Sequence, residues 1–98
     1  MTARESPERL ADVAQVVITD AAAADYARAR GLRLAEARRE LLEVACEATR
    51  RGADGELEQW RARTRTGGID LAVRVLRQDS RHGRPLAVIV SADARPYR

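Results

Sequence analysis

Trp60-Arg61-Ala62-Arg63-Thr64-Arg65-Thr66-Gly67-Gly68-Ile69-Asp70-Leu71-Ala72-Val73-Arg74-Val75-Leu76-Arg77 decides the fold class of this chain. The stretch holds two runs of alternation around a glycine pair. In the first, Arg61, Arg63 and Arg65 alternate with Trp60, Ala62 and Thr64. In the second, Ile69, Leu71, Val73 and Val75 fall on one side, and Asp70, Ala72, Arg74 and Leu76 on the other. Period two marks strands with two unlike faces. We therefore expect a strand over 56–66, a two-residue turn at Gly67-Gly68 and a strand over 69–77. Leu86-Ala87-Val88-Ile89-Val90 is apolar at every position, which predicts a central strand over 86–91. Connections this short exclude parallel crossovers, so these three strands form an antiparallel meander.

Upstream the pattern turns helical. Ser6-Pro7 is a helix-start signal for a short turn over 7–12. Val16-Val17-Ile18-Thr19 is β-branched and predicts a strand over 13–19. Thr19-Asp20 caps the helix-forming run Ala21-Ala22-Ala23-Ala24, and Gly31 ends that helix. A second helix is expected over 34–50, burying Leu34, Ala37, Leu41, Ala45 and Ala48, with Leu42 and Val44 broadening the stripe. Arg50 and Arg51 would close it, where positive charge suits the helix dipole, before a turn at 52–55. The expected fold class is α+β: two helices packed on an antiparallel sheet, in the order β-α-α-β-β-β. One domain would span 1–98, with residues 1–6 a flexible leader.

Composition narrows the function classes. The chain has 98 residues, is 45% hydrophobic and carries a net charge of +3, with no lysine among its cations. Coding bias toward GC-rich codons accounts for such arginine use, and so does selection for bidentate phosphate or carboxylate contacts. Aromatic content is 3%, which argues against binding single-stranded nucleic acid by ring stacking. The single Cys46 excludes an internal disulfide and a cysteine zinc site, and reads as a buried, inert thiol. No apolar run approaches membrane-spanning length and no signal peptide is visible, so a cytoplasmic location without membrane contact is expected. No motif demands a cofactor or a metal.

The arginine row is the first candidate site. Alternate residues of a strand recur about every 6.6–6.8 Å, close to phosphate spacing on a nucleic-acid strand. Arg61, Arg63 and Arg65 would then track a polyanion, or else protect a solvated edge strand. Trp60 faces the other way, toward the core. His82, in the polar connection 79–85, reads most simply as an exposed turn residue, Tyr97 as a pin for the C-terminus, and Asp79 and Asp93 as turn residues.

The end of the chain resembles the RelE-type toxins, small basic ribonucleases of bacterial toxin–antitoxin systems. The likeness rests on the order of elements and on three segments: Arg74-Val75-Leu76-Arg77, Leu86-Ala87-Val88-Ile89-Val90 and Ala94-Arg95-Pro96-Tyr97-Arg98. The front resembles a second group, small uncharacterised actinobacterial and phage proteins, through Ile18-Thr19-Asp20-Ala21-Ala22, Tyr26, Gly31-Leu32 and Ala35-Glu36-Ala37. The first resemblance implies cleavage of messenger RNA at the ribosome. Arg74, Arg77 and Arg95 would hold the phosphate, and Tyr97 or His82 would exchange a proton. The chain departs from the second group at Ala21, in place of histidine, and at Asp25, in place of arginine. The expectation is a RelE-like domain that binds RNA, the ribosome or a protein partner, a second copy included, without efficient catalysis. The alternative is an active endoribonuclease toxin. The two differ in whether Arg74, Arg77 and Arg95 converge on one concavity.

Overall fold

The computed structural model describes residues 8–65, 67–77 and 83–96, with 95 and 96 as backbone only. Its elements are α1 (Leu10–Val13), β1 (Gln15–Ile18), α2 (Asp20–Arg30), α3 (Leu34–Cys46), β2 (Thr49–Asp54), β3 (Leu57–Thr64), β4 (Gly67–Leu76) and β5 (Leu86–Pro96). The fold is α+β, with α2 and α3 packed against each other and against one face of the sheet. The sheet has five strands in the order β1-β5-β4-β3-β2. β2, β3, β4 and β5 run antiparallel in turn, and β1 joins the far side of β5 in parallel, so the sheet is mixed where a wholly antiparallel one was expected.

Local chemistry explains the element ends. The Thr19 hydroxyl accepts the Ala22 N–H at 3.1 Å and caps α2. Gly31, at φ 68°, supplies the left-handed residue that ends it. The expected start at Ser6-Pro7 lies outside the described residues, and within them α1 begins after Arg9.

Three expectations are corrected. The second helix stops at Cys46, where tightened bonds from Glu47 and Ala48 back to Val44 and Ala45 close its last turn. Thr49–Asp54 is instead a strand, and Arg50 and Arg51 lie on it rather than at a helix end. Its loop to β3 is Gly55-Glu56, with Gly55 at φ 64°, the first-position glycine of a two-residue hairpin. The turn between β3 and β4 also shifts. Thr64 pairs with Gly67, so Arg65 stands in the turn and Gly67-Gly68 begins β4. Finally, β5 runs on to Pro96, so Asp93 is a strand residue paired with Asp70. Asp79 lies outside the described residues.

The core lies between helices and sheet. Ala22, Ala23 and Tyr26 of α2 and Ala37, Leu41 and Ala45 of α3 meet Trp60, Ile69, Leu71, Val73 and Ile89 of the sheet. Trp60 is buried, as its alternation requires. Leu34 and Leu42, expected in the stripe, are exposed: the helix turns only a narrow alanine-rich edge inward. Cys46 is half-buried, and burial, helped by Glu47, raises its thiol pKa, which keeps it protonated at neutral pH.

Tyr26 yields a prediction. Its hydroxyl is buried without a well-formed hydrogen bond to a described residue, although the Glu40 carboxylate stands close enough to act on it. Burial raises its pKa, and the nearby Glu40 carboxylate adds to the shift. A raised folded pKa gives stability that is present below the unfolded value, about 10, and lost as pH rises through the folded value. Tyr26→Phe should therefore be neutral or stabilising at pH 7 and should flatten the alkaline limb above about pH 10. Urea unfolding at pH 7 and pH 10.5 checks both, and a loss above about 1 kcal/mol at pH 7 would show that Glu40 accepts a hydrogen bond from the hydroxyl.

Candidate functional site

Helices cover one face of the sheet, and the register names what stands on the other. Trp60 pairs with Leu71 and Ala62 with Ile69, all on the helix side. Their alternates point away: Leu57, Gln59, Arg61 and Arg63 from β3, and Gly68, Asp70, Ala72, Arg74 and Leu76 from β4. On β5 the outward residues include Leu86, Val88 and Asp93, and on β1 Gln15 and Val17. A bulge after Ala72 turns both Val90 and Ser91 toward this face. No described helix covers it.

The face divides along the strands. At one end Arg61 donates to Asp70 through Nε at 2.7 Å, with a longer contact at 3.4 Å from its second nitrogen. Asp70 holds the Arg61 guanidinium in its charged form. Asp93 stands across from Asp70, and Arg63 lies across from Gly68. The centre is a shallow depression of about 330 Å³ floored by Ala72 and Ser91 and rimmed by Arg51 and Arg61. The other end is aliphatic. Val17 and Leu76 are 38% and 45% exposed, and Leu57, Leu86 and Val88 are half-buried beside them. Arg74 stands among these side chains, level with Leu57 and Val88. It makes no hydrogen bond or ion pair with another described residue.

The predicted site residues do not gather. Arg61 and Arg63 share the open face, away from Trp60, but Arg65 belongs to the turn and Asp70 interrupts the row. Arg74 lies on the open face, whereas Arg77 lines a cleft on the helix side together with Trp60 and Leu10. The Arg95 backbone pairs with Gly68, six positions along β4 from Arg74, about 20 Å at the usual strand rise. His82 and Tyr97 lie outside the described residues.

Two departures from the second resemblance also find their places. Ala21 is exposed in the first turn of α2. The Asp25 carboxylate accepts the Ala92 N–H at 3.3 Å and the Arg28 guanidinium at 2.8 Å, so it ties α2 to β5 beside the bulge. That is a structural duty.

The aliphatic end of the open face was missed by reading residues singly. Leu57, Val17 and Val88 come together only through strand order. One signal was available: the outward set Asp70, Ala72, Arg74 and Leu76 contains a leucine on the face opposite the core residues Ile69, Leu71 and Val73. No family model, curated protein or solved structure matches the chain. Among the described residues, no helix is long and apolar enough to cross a membrane.

Proposed function

We propose that this chain is a non-catalytic binding domain whose uncovered sheet face receives a protein segment of aliphatic side chains carrying a carboxylate. The observation that carries the reading is Arg74 standing among Val17, Leu57, Leu76, Leu86 and Val88 on a face that no described helix covers. An arginine set in an apolar patch is the composition of an interface hot spot, and its charge, unpaired among the described residues, calls for an acidic partner. RNA fits less well. Trp60 and Tyr26 are both buried in the core, which leaves no stacking platform from either, and Arg61 is held by Asp70. The nuclease reading implied by the RelE resemblance also loses support, because Arg74, Arg77 and the Arg95 backbone stand at three separate places.

The test uses two probes on the isotope-labelled chain. One is a synthetic helical peptide with leucine and glutamate in heptad spacing, and the other is a single-stranded RNA oligonucleotide. The peptide should shift the amide resonances of Val17, Leu57, Leu76 and Val88, and Arg74→Glu should weaken it at least about tenfold, or ~1.4 kcal/mol. RNA binding across Arg61 and Arg63 with a steep salt dependence, about 0.7 in log–log slope per phosphate contact, would assign the face to nucleic acid instead. Purified chain should leave ribosome-bound message intact. Cleavage that disappears in Arg95→Ala would establish the nuclease.

A further inference from the structure

A second concavity lies on the opposite side of the sheet, under α1. It is a cleft of about 520 Å³. That volume lies within the range of small-molecule sites, about 300–1,000 Å³. Leu10, Val13, Ala14, Trp60, Val75 and Pro85 supply its apolar lining, with Leu10, Ala14 and Trp60 buried beneath the others. Val13 is 37% exposed, so one wall opens to solvent. Four charged residues, Glu8, Arg50, Glu58 and Arg77, complete the lining.

The charges are not equivalent. Glu58 already accepts the Trp60 indole N–H at 3.0 Å and faces Arg50 at 3.5 Å. Both contacts fall on Oε1, and they fix the indole ring and hold Arg50 beside Glu58. Arg77 makes no hydrogen bond or ion pair with another described residue. Its planar fork of five donors suits a carboxylate in bidentate geometry. Arg50 is already beside Glu58, which leaves the Arg77 guanidinium and the apolar lining complementary to an alkyl chain that ends in a carboxylate.

We infer that this cleft is a binding site for a small amphipathic monocarboxylate, its alkyl body on the surface that Val13, Val75 and Pro85 expose above the buried Trp60 and Leu10, and its headgroup on Arg77. The inference is independent of the open face. Helix-side residues form this site, and the Arg74 patch plays no part in it.

Trp60 is the sole tryptophan, so its fluorescence reports on the cleft directly. The experiment titrates the full chain with octanoate, octylamine and 1-octanol below their aggregation limits. Octanoate should give a saturable change in Trp60 emission, with 1-octanol and octylamine each at least tenfold weaker. Arg77→Gln should bring octanoate to the level of octanol, and Val13→Glu, which places a negative charge at the open wall, should weaken octanoate at least tenfold. Circular dichroism confirms that each variant keeps its fold. Equal responses to octanoate and octanol, tighter binding of octylamine, an unchanged Arg77→Gln titration or no change in emission would each overturn the assignment.

Discussion

Leu71→Ala is expected to lower the unfolding free energy by about 2–5 kcal/mol, the range for emptying a well-packed leucine site. Leu71 is fully buried on β4, between Trp60 of β3 and Ala92 of β5. The neighbours across the strands are a rigid indole and an alanine methyl, and neither can swing in to fill the space. Many of the helix residues facing the sheet are also alanines, including Ala22, Ala23, Ala37 and Ala45. A core built from short side chains on one layer depends on the long ones of the other. Domains of this size hold only about 5–15 kcal/mol in total. The loss should therefore lower the melting temperature by roughly 4–8 °C per kcal/mol. Urea unfolding measures it. A change below about 1 kcal/mol would mean that the layer above Leu71 collapses freely.

Thr19→Val should cost about 1.5–3 kcal/mol while keeping the side-chain shape. The hydroxyl has two duties. It accepts the Ala22 N–H, capping α2, and donates to the Ile89 carbonyl at 2.6 Å. The Thr19 N–H reaches the same carbonyl at 3.3 Å. One residue thus starts the helix and ties the end of β1 to β5, 70 positions away. Valine keeps the volume and the β-branch but removes both bonds. Thr19→Ser keeps both and should stay within about 0.5–1 kcal/mol of the parent. Equal losses in the two variants would show that methyl packing, not the hydroxyl, is what matters there.

Much of the fold was legible because its signals are local. Thr19 and Gly31 bound α2 through chemistry confined to one helical turn. Alternation from Trp60 and from Ile69 set the two faces of β3 and β4 before any partner was known. The misreadings arose where local preference was weak. Thr49-Arg50-Arg51-Gly52-Ala53-Asp54 has little β propensity beyond its first residue, and pairing with β3 overrides it. The Gly67-Gly68 pair attracted the turn, yet the register pairs Thr64 with Gly67 and places the turn earlier, at Arg65.

The candidate site was legible only in part. Arg61, Arg63 and Arg74 were assigned from the sequence to strand faces opposite Trp60, Ile69 and Leu71, and they lie there. The gathering of Val17, Val88, Leu57 and Leu76 around Arg74 was not visible. These residues come from four strands, and alternation says which face of its own strand a residue takes, not which strand lies beside it.

The sequence by itself determined the α+β class, both ends of α2, the strand character of β1, β3, β4 and β5, and the inward and outward sets of β3 and β4. Those depend on backbone preference and burial within a few residues. Only the tertiary structure decided that β1 lies parallel beside β5, that Asp70 interrupts the arginine row, and that Arg77 faces the Trp60 cleft while Arg74 faces outward. Those outcomes follow from register and strand order. Both are set by the summed burial of the sheet against α2 and α3, a nonlocal quantity that no short stretch of the chain encodes.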